Sequence, residues 1–244
     1  MPVNQCGDPN NHSPNIRESI RLSALRGEVA DHAVVRERLR HVYWVGGGSG
    51  AGKSTVARRL AAQHGLYLYG TDEVMADHGR RIMLEDSPFT MAFAAMDIDE
   101  RWVNRSPELM LETFHWFRGE GFGLIVEDLL ALPTEPPVIA EGFRLLPHLV
   151  KPLLASQTHA VWLLPTPDLR RVAFEGRRPS GTPWAFVEQT TDPDRALRNL
   201  LERDRMFTDR LVGEAERLGL HTIDVDASMT TDDVAAQVNT WFGL

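Results

Sequence analysis

The chain has 244 residues, enough for a large buried core, and its 43% hydrophobic and 25% charged residues are typical of globular proteins. Its formal net charge of −8 disfavours nucleic acid as a partner, because duplex binding generally needs a broad basic surface. The single cysteine, Cys6, excludes an internal disulfide and fits a cytoplasmic location, and no apolar run is long enough to predict a membrane partner.

The first forty residues are predicted to stand apart from the rest of the chain. Residues 1–15 are polar and turn-rich and lack the apolar core of a signal peptide, so they predict a flexible tail. Residues 16–40 have apolar residues at helical spacing and predict a helical appendage, which Gly27 divides into two short helices. These helices either pack beside a sheet or form a contact in a homodimer.

Five short runs rich in β-branched and aromatic residues predict buried strands at 41–45, 66–69, 137–141, 159–164 and 221–225. Helical patterns separate them. These patterns cover 54–64, 73–84, 89–96, 106–118, 122–130, 145–155, a segment from 166, 194–218 and a last helix from 230. The alternation predicts an α/β fold, with a mainly parallel five-stranded sheet and helices on both faces.

One apolar run in this series, at 124–128, is compatible with either a strand or a helix. Apolar residues recur at helical spacing at Phe122, Ile125 and Leu129, and this favours an amphipathic helix. The same spacing predicts that Glu127 and Asp128 lie in solvent.

A glycine loop follows the first predicted strand and precedes a predicted helix. It consists of Gly47, Gly48, Ser49, Gly50, Ala51, Gly52, Lys53, Ser54 and Thr55, and satisfies the pattern G-x-x-x-x-G-K-[ST]. Glycines permit positive φ, so that successive N–H groups and the helix N-terminus can surround phosphates. Lys53 would reach the β- and γ-phosphates, and the Ser54 hydroxyl would bind Mg²⁺. The strand–loop–helix context therefore predicts nucleotide binding.

The glycine loop and the order of elements resemble the P-loop small-molecule kinases, which include nucleoside-monophosphate, shikimate and gluconate kinases and antibiotic phosphotransferases. The resemblance covers about residues 41–242 as an architecture, and only the loop matches closely. It implies a three-layer P-loop NTPase fold in a kinase domain at 41–244, with acceptor-pocket helices at about 73–131 and a lid at about 170–205. The implied activity is ATP- and Mg²⁺-dependent phosphorylation of a small hydroxylated or phosphorylated metabolite.

The resemblance also implies roles at the ends of the second and third strands. Asp72 stands where these kinases often place an aspartate that faces the acceptor or the Mg²⁺ shell. It could orient or deprotonate the acceptor hydroxyl, although aspartate is also a favoured helix cap. The segment VIAEGFR at 138–144 is similar to the D-G-F-P-R of nucleoside-monophosphate kinases, with glutamate for aspartate and no proline. Glu141 would then meet Mg²⁺ through water, and Arg144 would face an anionic or hydroxylated acceptor. A solvated strand end is the alternative.

Arginines in two further regions are candidate contacts. Between 170 and 210, nine arginines stand against seven acidic residues, and this stretch resembles the kinase lid. Arg177 and Arg178 precede its loop and are expected to stabilise charge on the transferred phosphoryl group. A solvated helix face is the alternative. Arg80 and Arg81 lie in the expected acceptor region, among aromatic residues that either contact the acceptor or pack in the core.

Two other functions remain compatible with a nucleotide-binding loop. The first is a regulatory P-loop ATPase that hydrolyses its nucleotide to change shape, but we find no second long domain. The second is a nucleotide-binding protein without catalysis, which the intact pair Lys53 and Ser54 disfavours.

Overall fold

A computed structural model describes residues 32–82, 87–170 and 185–244. In these residues five strands form one sheet, and all neighbouring strands are parallel. The strands are β1 (Val42–Gly47), β2 (Tyr67–Gly70), β3 (Val138–Glu141), β4 (Ala160–Pro165) and β5 (Thr222–Val225), in the order β2-β3-β1-β4-β5. The predicted α/β class and five-stranded parallel sheet are confirmed, and each predicted strand end lies within two residues of the observed one.

Helices occupy the connections between the strands. The α-helices of the described ranges are His32–Arg38, Lys53–His64, Met75–Arg81, Pro88–Ala95, Pro107–Thr113, Phe122–Ala131, Pro147–Val150, Pro193–Leu218 and Thr231–Phe242. Shorter helical segments are Glu100–Asn104, His115–Arg118, Lys151–Leu153, Gln157–His159 and Ala185–Gln189, and 167–170 is also helical. No helix in these ranges combines the length and apolarity needed to span a membrane.

The sheet is covered by helices on both faces, as predicted, because successive strand side chains point to opposite sides. One face, which carries Trp162, packs against Phe122–Ala131 and Pro193–Leu218. The other face packs against Lys53–His64 and Thr231–Phe242. The result is a three-layer arrangement with one core above the sheet and another below it.

Local sequence signals set several helix ends. Gly65, with a φ of 65°, ends the helix Lys53–His64, and Ser106 caps the helix that begins at Pro107. The helix predicted at 106–118 nevertheless ends at Thr113. Phe114 takes an extended conformation, and the following short helix buries the side chains of 115–117. The helix therefore ends early, because the chain must turn at Phe114 to bury the side chains of 115–117.

The amphipathic helix around Asp128 is confirmed, but the prediction that its acidic side chains lie in solvent is wrong. The Asp128 carboxylate accepts hydrogen bonds from the Tyr69 hydroxyl at 2.8 Å, from His78 Nε2 at 2.7 Å and from Arg81 at 2.8 Å. Burial alone would raise the pKa of Asp128, but these hydrogen bonds outweigh it and leave the pKa below its usual value. The donors come from β2 and the next helix, so helical spacing could not reveal them.

The described part of the predicted N-terminal appendage packs beside the sheet. Val35 and Leu39 are buried in the same core as Trp162. The Arg36 guanidinium donates two hydrogen bonds to the Pro152 carbonyl, at 3.1 and 3.2 Å. The rest of the appendage and the predicted tail lie outside the described residues.

Leu129 tests the core beneath Phe122–Ala131, because its side chain is fully buried. Leu129→Ala should lower the free energy of unfolding by about 2–5 kcal/mol, through lost apolar burial and a residual cavity. Leu109→Ala is the matched control, since Leu109 lies on a helix with half its surface exposed, and it should change stability by about 0.5 kcal/mol or less. Urea unfolding measures both, and equal effects would contradict the observed packing.

Candidate functional site

The glycine loop leaves β1 and enters the helix at Lys53 through residues with positive φ. Gly47, Gly50 and Gly52 have φ values of 130°, 86° and 77°. A Cβ on Gly47 would also lie only 2.0 Å from the Leu163 carbonyl oxygen of the neighbouring strand. The backbone at Gly47 therefore requires glycine for both its conformation and its close approach to β4.

The loop presents backbone donors that remain available. In the described part of the chain, the N–H groups of Ser49, Gly50 and Gly52 donate no hydrogen bond. The Gly48 N–H, by contrast, bonds to the Leu163 carbonyl at 3.1 Å. The following helix has its positive end at the loop, so the arrangement suits an anion.

Lys53 brings a positive charge into this loop. Only 9% of its surface is exposed, and its ammonium group donates a hydrogen bond to the Gly48 carbonyl at 2.8 Å. Lys53 also lowers the pKa of both Asp72 and Glu141, partly offsetting the effect of burial. The lysine therefore lies close to the two acidic residues predicted for the site.

Glu141 ends β3 beside the glycine loop. The register places it opposite Val45 of β1 and Gly70 of β2, so its side chain starts between two other strand ends. Burial raises the pKa of Glu141, while the charge of Lys53 and the neighbouring Ser54 hydroxyl lower it. Its Oε2 is buried and has no hydrogen-bond partner among the described residues. This oxygen is available to a cation or to water.

Magnesium fits the pair formed by Ser54 and Glu141. Among the described residues, no group of three or more His, Cys, Asp or Glu side chains could hold a metal by itself. Mg²⁺ bound with phosphates usually needs only one or two protein oxygens, since phosphate and water supply the others. Ser54 and the orphaned Glu141 oxygen supply that number.

Asp72 follows β2 and turns toward the same end of the sheet. More than a third of its surface is exposed, but the carboxyl group is still partly shielded from water, and this raises its pKa. The positive charges of Lys53 and Arg144 act in the opposite direction and only partly offset the rise. The alternative role as a helix cap is wrong. Val74 is the residue preceding the helix Met75–Arg81, and no side chain caps that helix.

Arg144 lies beneath this end of the sheet with only 2% of its surface exposed. It donates hydrogen bonds to the carbonyls of Thr71 and Gly121 at 3.4 and 3.2 Å, and its Cζ lies 4.0 Å from the Trp116 ring centroid. Burial lowers its pKa to about 10, although the charge of Asp72 is among those that oppose this. The alternative of a solvated strand end is therefore wrong for both Glu141 and Arg144.

Lys53, Asp72 and Glu141 lie at the end of the sheet where the connections that follow β1 and β3 pass to opposite faces. The helix Lys53–His64, after β1, covers one face, whereas Pro147–Val150, after the adjacent β3, packs on the opposite face. Because the two connections leave on opposite faces, the carboxyl ends of β1 and β3 form a switch point of the sheet, and we call the space outside these ends the crevice. Ligands of parallel α/β sheets generally bind at such a switch point.

The structure does not bring every predicted arginine into this group. The Arg80 guanidinium pairs with Asp77 at 3.3 Å, and Arg81 pairs with Asp77 and Asp128 at 3.1 and 2.8 Å. Arg81 therefore joins the helix Met75–Arg81 to the helix Phe122–Ala131 and is not among the residues at the crevice. Arg177 and Arg178 lie outside the described residues.

Farther along the predicted lid, Arg205 fits a solvated helix face, whereas Arg203 is a buried packing residue that pairs with Asp204 at 2.7 Å. Arg205 is exposed and paired with Glu202 and Asp209, which fits the solvated face. Arg203, however, is 5% exposed, and its guanidinium lies over the rings of three aromatic residues. Sequence spacing did not distinguish the two arginines.

Arg144 belongs to an aromatic wall that the sequence did not reveal as a unit. Its residues are Phe93, Arg101, His115, Trp116 and Arg144. The His115 ring lies 4.4 Å from Trp116 and 5.0 Å from Phe93, measured between centroids. The Arg101 Cζ lies 4.8 Å from the Phe93 centroid. Burial, with Arg144 and Arg101 nearby, lowers the pKa of His115 to about 4, so this imidazole is neutral at pH 7.

His115 should make stability depend on pH. The pKa of His115 is about 4 in the folded protein and lies below its value in the unfolded chain. Its contribution to the free energy of unfolding is therefore complete above about pH 6.5 and is lost as pH falls toward 4. His115→Phe should therefore reduce the loss of unfolding free energy between pH 7.5 and 4.5 by about 2–3 kcal/mol. Chemical denaturation at the two pH values measures this difference.

Phe93→Leu is the control, because it disturbs the same wall without removing a titrating group. It should change stability by similar amounts at both pH values. An unaltered pH dependence in His115→Phe would contradict the observed environment of the imidazole.

No protein-family model matches the chain, and no curated protein matches it. The function is therefore inferred from the geometry of this crevice and from the resemblance carried by the glycine loop.

Proposed function

We propose that this protein is a cytoplasmic ATP- and Mg²⁺-dependent kinase with a P-loop NTPase fold, which phosphorylates a small hydroxylated or phosphorylated metabolite. The observation that carries the proposal is the convergence of Lys53, Ser54, Asp72 and Glu141 at one switch point of the sheet. A cation, a hydroxyl and two carboxylates in this arrangement match the needs of phosphoryl transfer.

The glycine loop would hold the phosphates of the donor nucleotide. The free N–H groups of Ser49, Gly50 and Gly52 provide hydrogen bonds, and Lys53 provides a charge for the β- and γ-phosphates. Mg²⁺, held by Ser54 and through water by Glu141, would neutralise charge on the phosphates. Arg177 and Arg178 remain the proposed lid residues.

Asp72 is the proposed group that handles the acceptor proton. Its exposed carboxyl can accept a hydrogen bond from an acceptor hydroxyl in the crevice. As the hydroxyl oxygen forms its bond to the γ-phosphorus, the bond to the β-phosphate bridging oxygen breaks and ADP leaves. The hydroxyl proton passes to Asp72, whose raised pKa makes it a better base than an ordinary aspartate.

The primary test measures ADP release from Mg·ATP against a panel of nucleosides, nucleotides, sugars, sugar acids and antibiotics. Strong stimulation by one class, together with its phosphorylated product, would support the kinase. A nucleotide-hydrolysing regulatory ATPase would instead release ADP at a basal rate that no acceptor raises. Nucleotide binding without ADP release would indicate a non-catalytic binding protein.

Lys53→Met should reduce acceptor-stimulated ADP release by about 10²–10³-fold, because a charge that stabilises the transferring phosphoryl group is lost. Methionine keeps an apolar stem in this mostly buried position. Lys151→Met is a natural control, since Lys151 is the other lysine of the chain and is exposed, bonding to the Leu218 carbonyl. Equal rates in the wild type and Lys53→Met, with thermal unfolding unchanged, would overturn the proposed role.

Glu141→Gln should raise the Mg²⁺ concentration needed for half-maximal rate by about 10–100-fold, because the orphaned carboxylate oxygen loses its charge. A Mg²⁺ titration at fixed ATP measures this shift. Glu37→Gln removes an exposed glutamate that pairs with Arg40, outside the crevice, and should leave the titration unchanged. A normal Mg²⁺ requirement in Glu141→Gln would remove Glu141 from the proposed metal site.

A further inference from the structure

We propose that Thr71 is a positioning residue of the crevice, whose buried side chain, seated against Gly142, holds the Asp72 carboxyl in one orientation. This inference rests on the proposed kinase function only for the role of Asp72 toward the acceptor. The orientation of the carboxyl can be measured without nucleotide or acceptor.

The first argument is the contrast in burial between two neighbouring polar residues. Thr71 has no exposed surface, whereas more than a third of the surface of Asp72 is exposed. A hydroxyl removed from water needs a hydrogen-bond partner, and the Thr71 hydroxyl donates to Oδ1 of Asp72 at 3.5 Å. A bond of this length is weak by itself. Its effect on Asp72 therefore depends on how firmly the surrounding contacts hold Thr71.

The second argument is that Gly142 leaves a space that the Thr71 side chain fills. Gly142 follows β3 with a φ of 143°, a conformation that favours glycine. A Cβ at this position would lie 1.8 Å from the Thr71 hydroxyl oxygen and 3.0 Å from the Thr71 Cβ. The threonine side chain therefore rests directly on the backbone of Gly142, and this contact fixes its hydroxyl.

The third argument is that the backbone of Thr71 is held at both of its polar atoms. Its N–H donates to the Glu141 carbonyl at 2.9 Å, and its carbonyl accepts a hydrogen bond from Arg144 at 3.4 Å. Arg144 is itself fixed, because it is buried and its Cζ lies 4.0 Å from the Trp116 ring centroid. The side chain of Asp72 therefore leaves the backbone from a fixed point at the end of β2.

These contacts bear on the proposed chemistry through the two oxygens of the Asp72 carboxylate. Thr71 engages Oδ1, which leaves Oδ2 for the acceptor hydroxyl. A base acts efficiently only when it lies within hydrogen-bond reach of the proton that it takes, in the geometry of attack. Because Thr71 restricts rotation of the carboxylate, its loss should slow the transfer step more than it weakens binding of the acceptor.

The first test compares Thr71→Val, which removes the hydroxyl and keeps the shape of the side chain, with Thr71→Ser, which keeps the hydroxyl. Thr71→Val should lower kcat by about 10–100-fold and change KM for the acceptor by about twofold or less, and Thr71→Ser should restore most of the rate. An equal loss of kcat in both variants would overturn the proposal, because it would assign the effect to packing alone. Thr71→Ala replaces Thr71→Val if the valine variant does not fold.

The second test needs no activity. It records the ¹³C NMR signals of labelled aspartate carboxyls in the full-length protein at about pH 8, where aspartate is ionised, and assigns the Asp72 signal with Asp72→Asn. Thr71→Val should shift the Asp72 signal, and Thr71→Ser should leave it in place. Thr240→Val is the control, since it removes a hydroxyl that donates to the Ala236 carbonyl on the last helix. An Asp72 signal that stays in place in Thr71→Val would contradict the proposed contact.

The outcomes also separate this inference from the kinase. If the Asp72 signal moves in Thr71→Val but not in Thr71→Ser, and no compound raises ADP release, the positioning contact stands and the kinase proposal fails. If an acceptor raises ADP release and Thr71→Val keeps the wild-type kcat, the kinase stands and this inference fails.

Discussion

The site depends on how closely the end of β1 packs between its neighbours. A Cβ on Gly46 would lie 2.4 Å from the indole nitrogen of Trp162, and one on Gly47 would lie 2.0 Å from the Leu163 carbonyl oxygen. A Cβ on Gly48 would meet the Thr208 hydroxyl at 2.5 Å. Three successive glycines thus allow the end of β1 and the start of the loop to pack against β4 and against the helix Pro193–Leu218 without displacement. Because the glycine loop starts from this fixed point, its position relative to β3 is set by the sheet.

The same packing destabilises the charged forms of Asp72 and Glu141, and a bound ligand can reverse this effect. Burial raises the pKa of Glu141, and the negative charge of Asp72 raises it further, since each carboxylate destabilises the other. Lys53 offsets part of this effect for both groups. A divalent cation near the two carboxylates would favour their charged forms, and a phosphate chain would neutralise the lysine. The charges of this crevice therefore suit a metal–phosphate complex better than either ion alone.

The sheet and the glycine loop could be predicted because local signals determine them. Strand composition located all five strands, and the spacing from Gly47 to Ser54 located the loop at the end of β1. The convergence of Asp72 and Glu141 followed from placing both at strand ends. The role of Arg81 could not be predicted, because its partner Asp128 lies on another helix and sequence spacing carries no information about that contact. The aromatic wall was missed for the same reason.

The long helix Pro193–Leu218 explains why the glycine loop and the aromatic side of the molecule keep a fixed relation. Thr208 packs against Gly48, while the Asn199 amide donates to the carbonyls of Trp102 and Val103 at 3.1 Å. These two anchor points are about 13 Å apart along a rigid helix, at 1.5 Å per residue. A displacement of the loop that moved Thr208 would therefore be carried to the segment containing Trp102. Trp102 in turn contacts Phe93 of the wall, so the glycine loop and the aromatic wall are joined through this one helix.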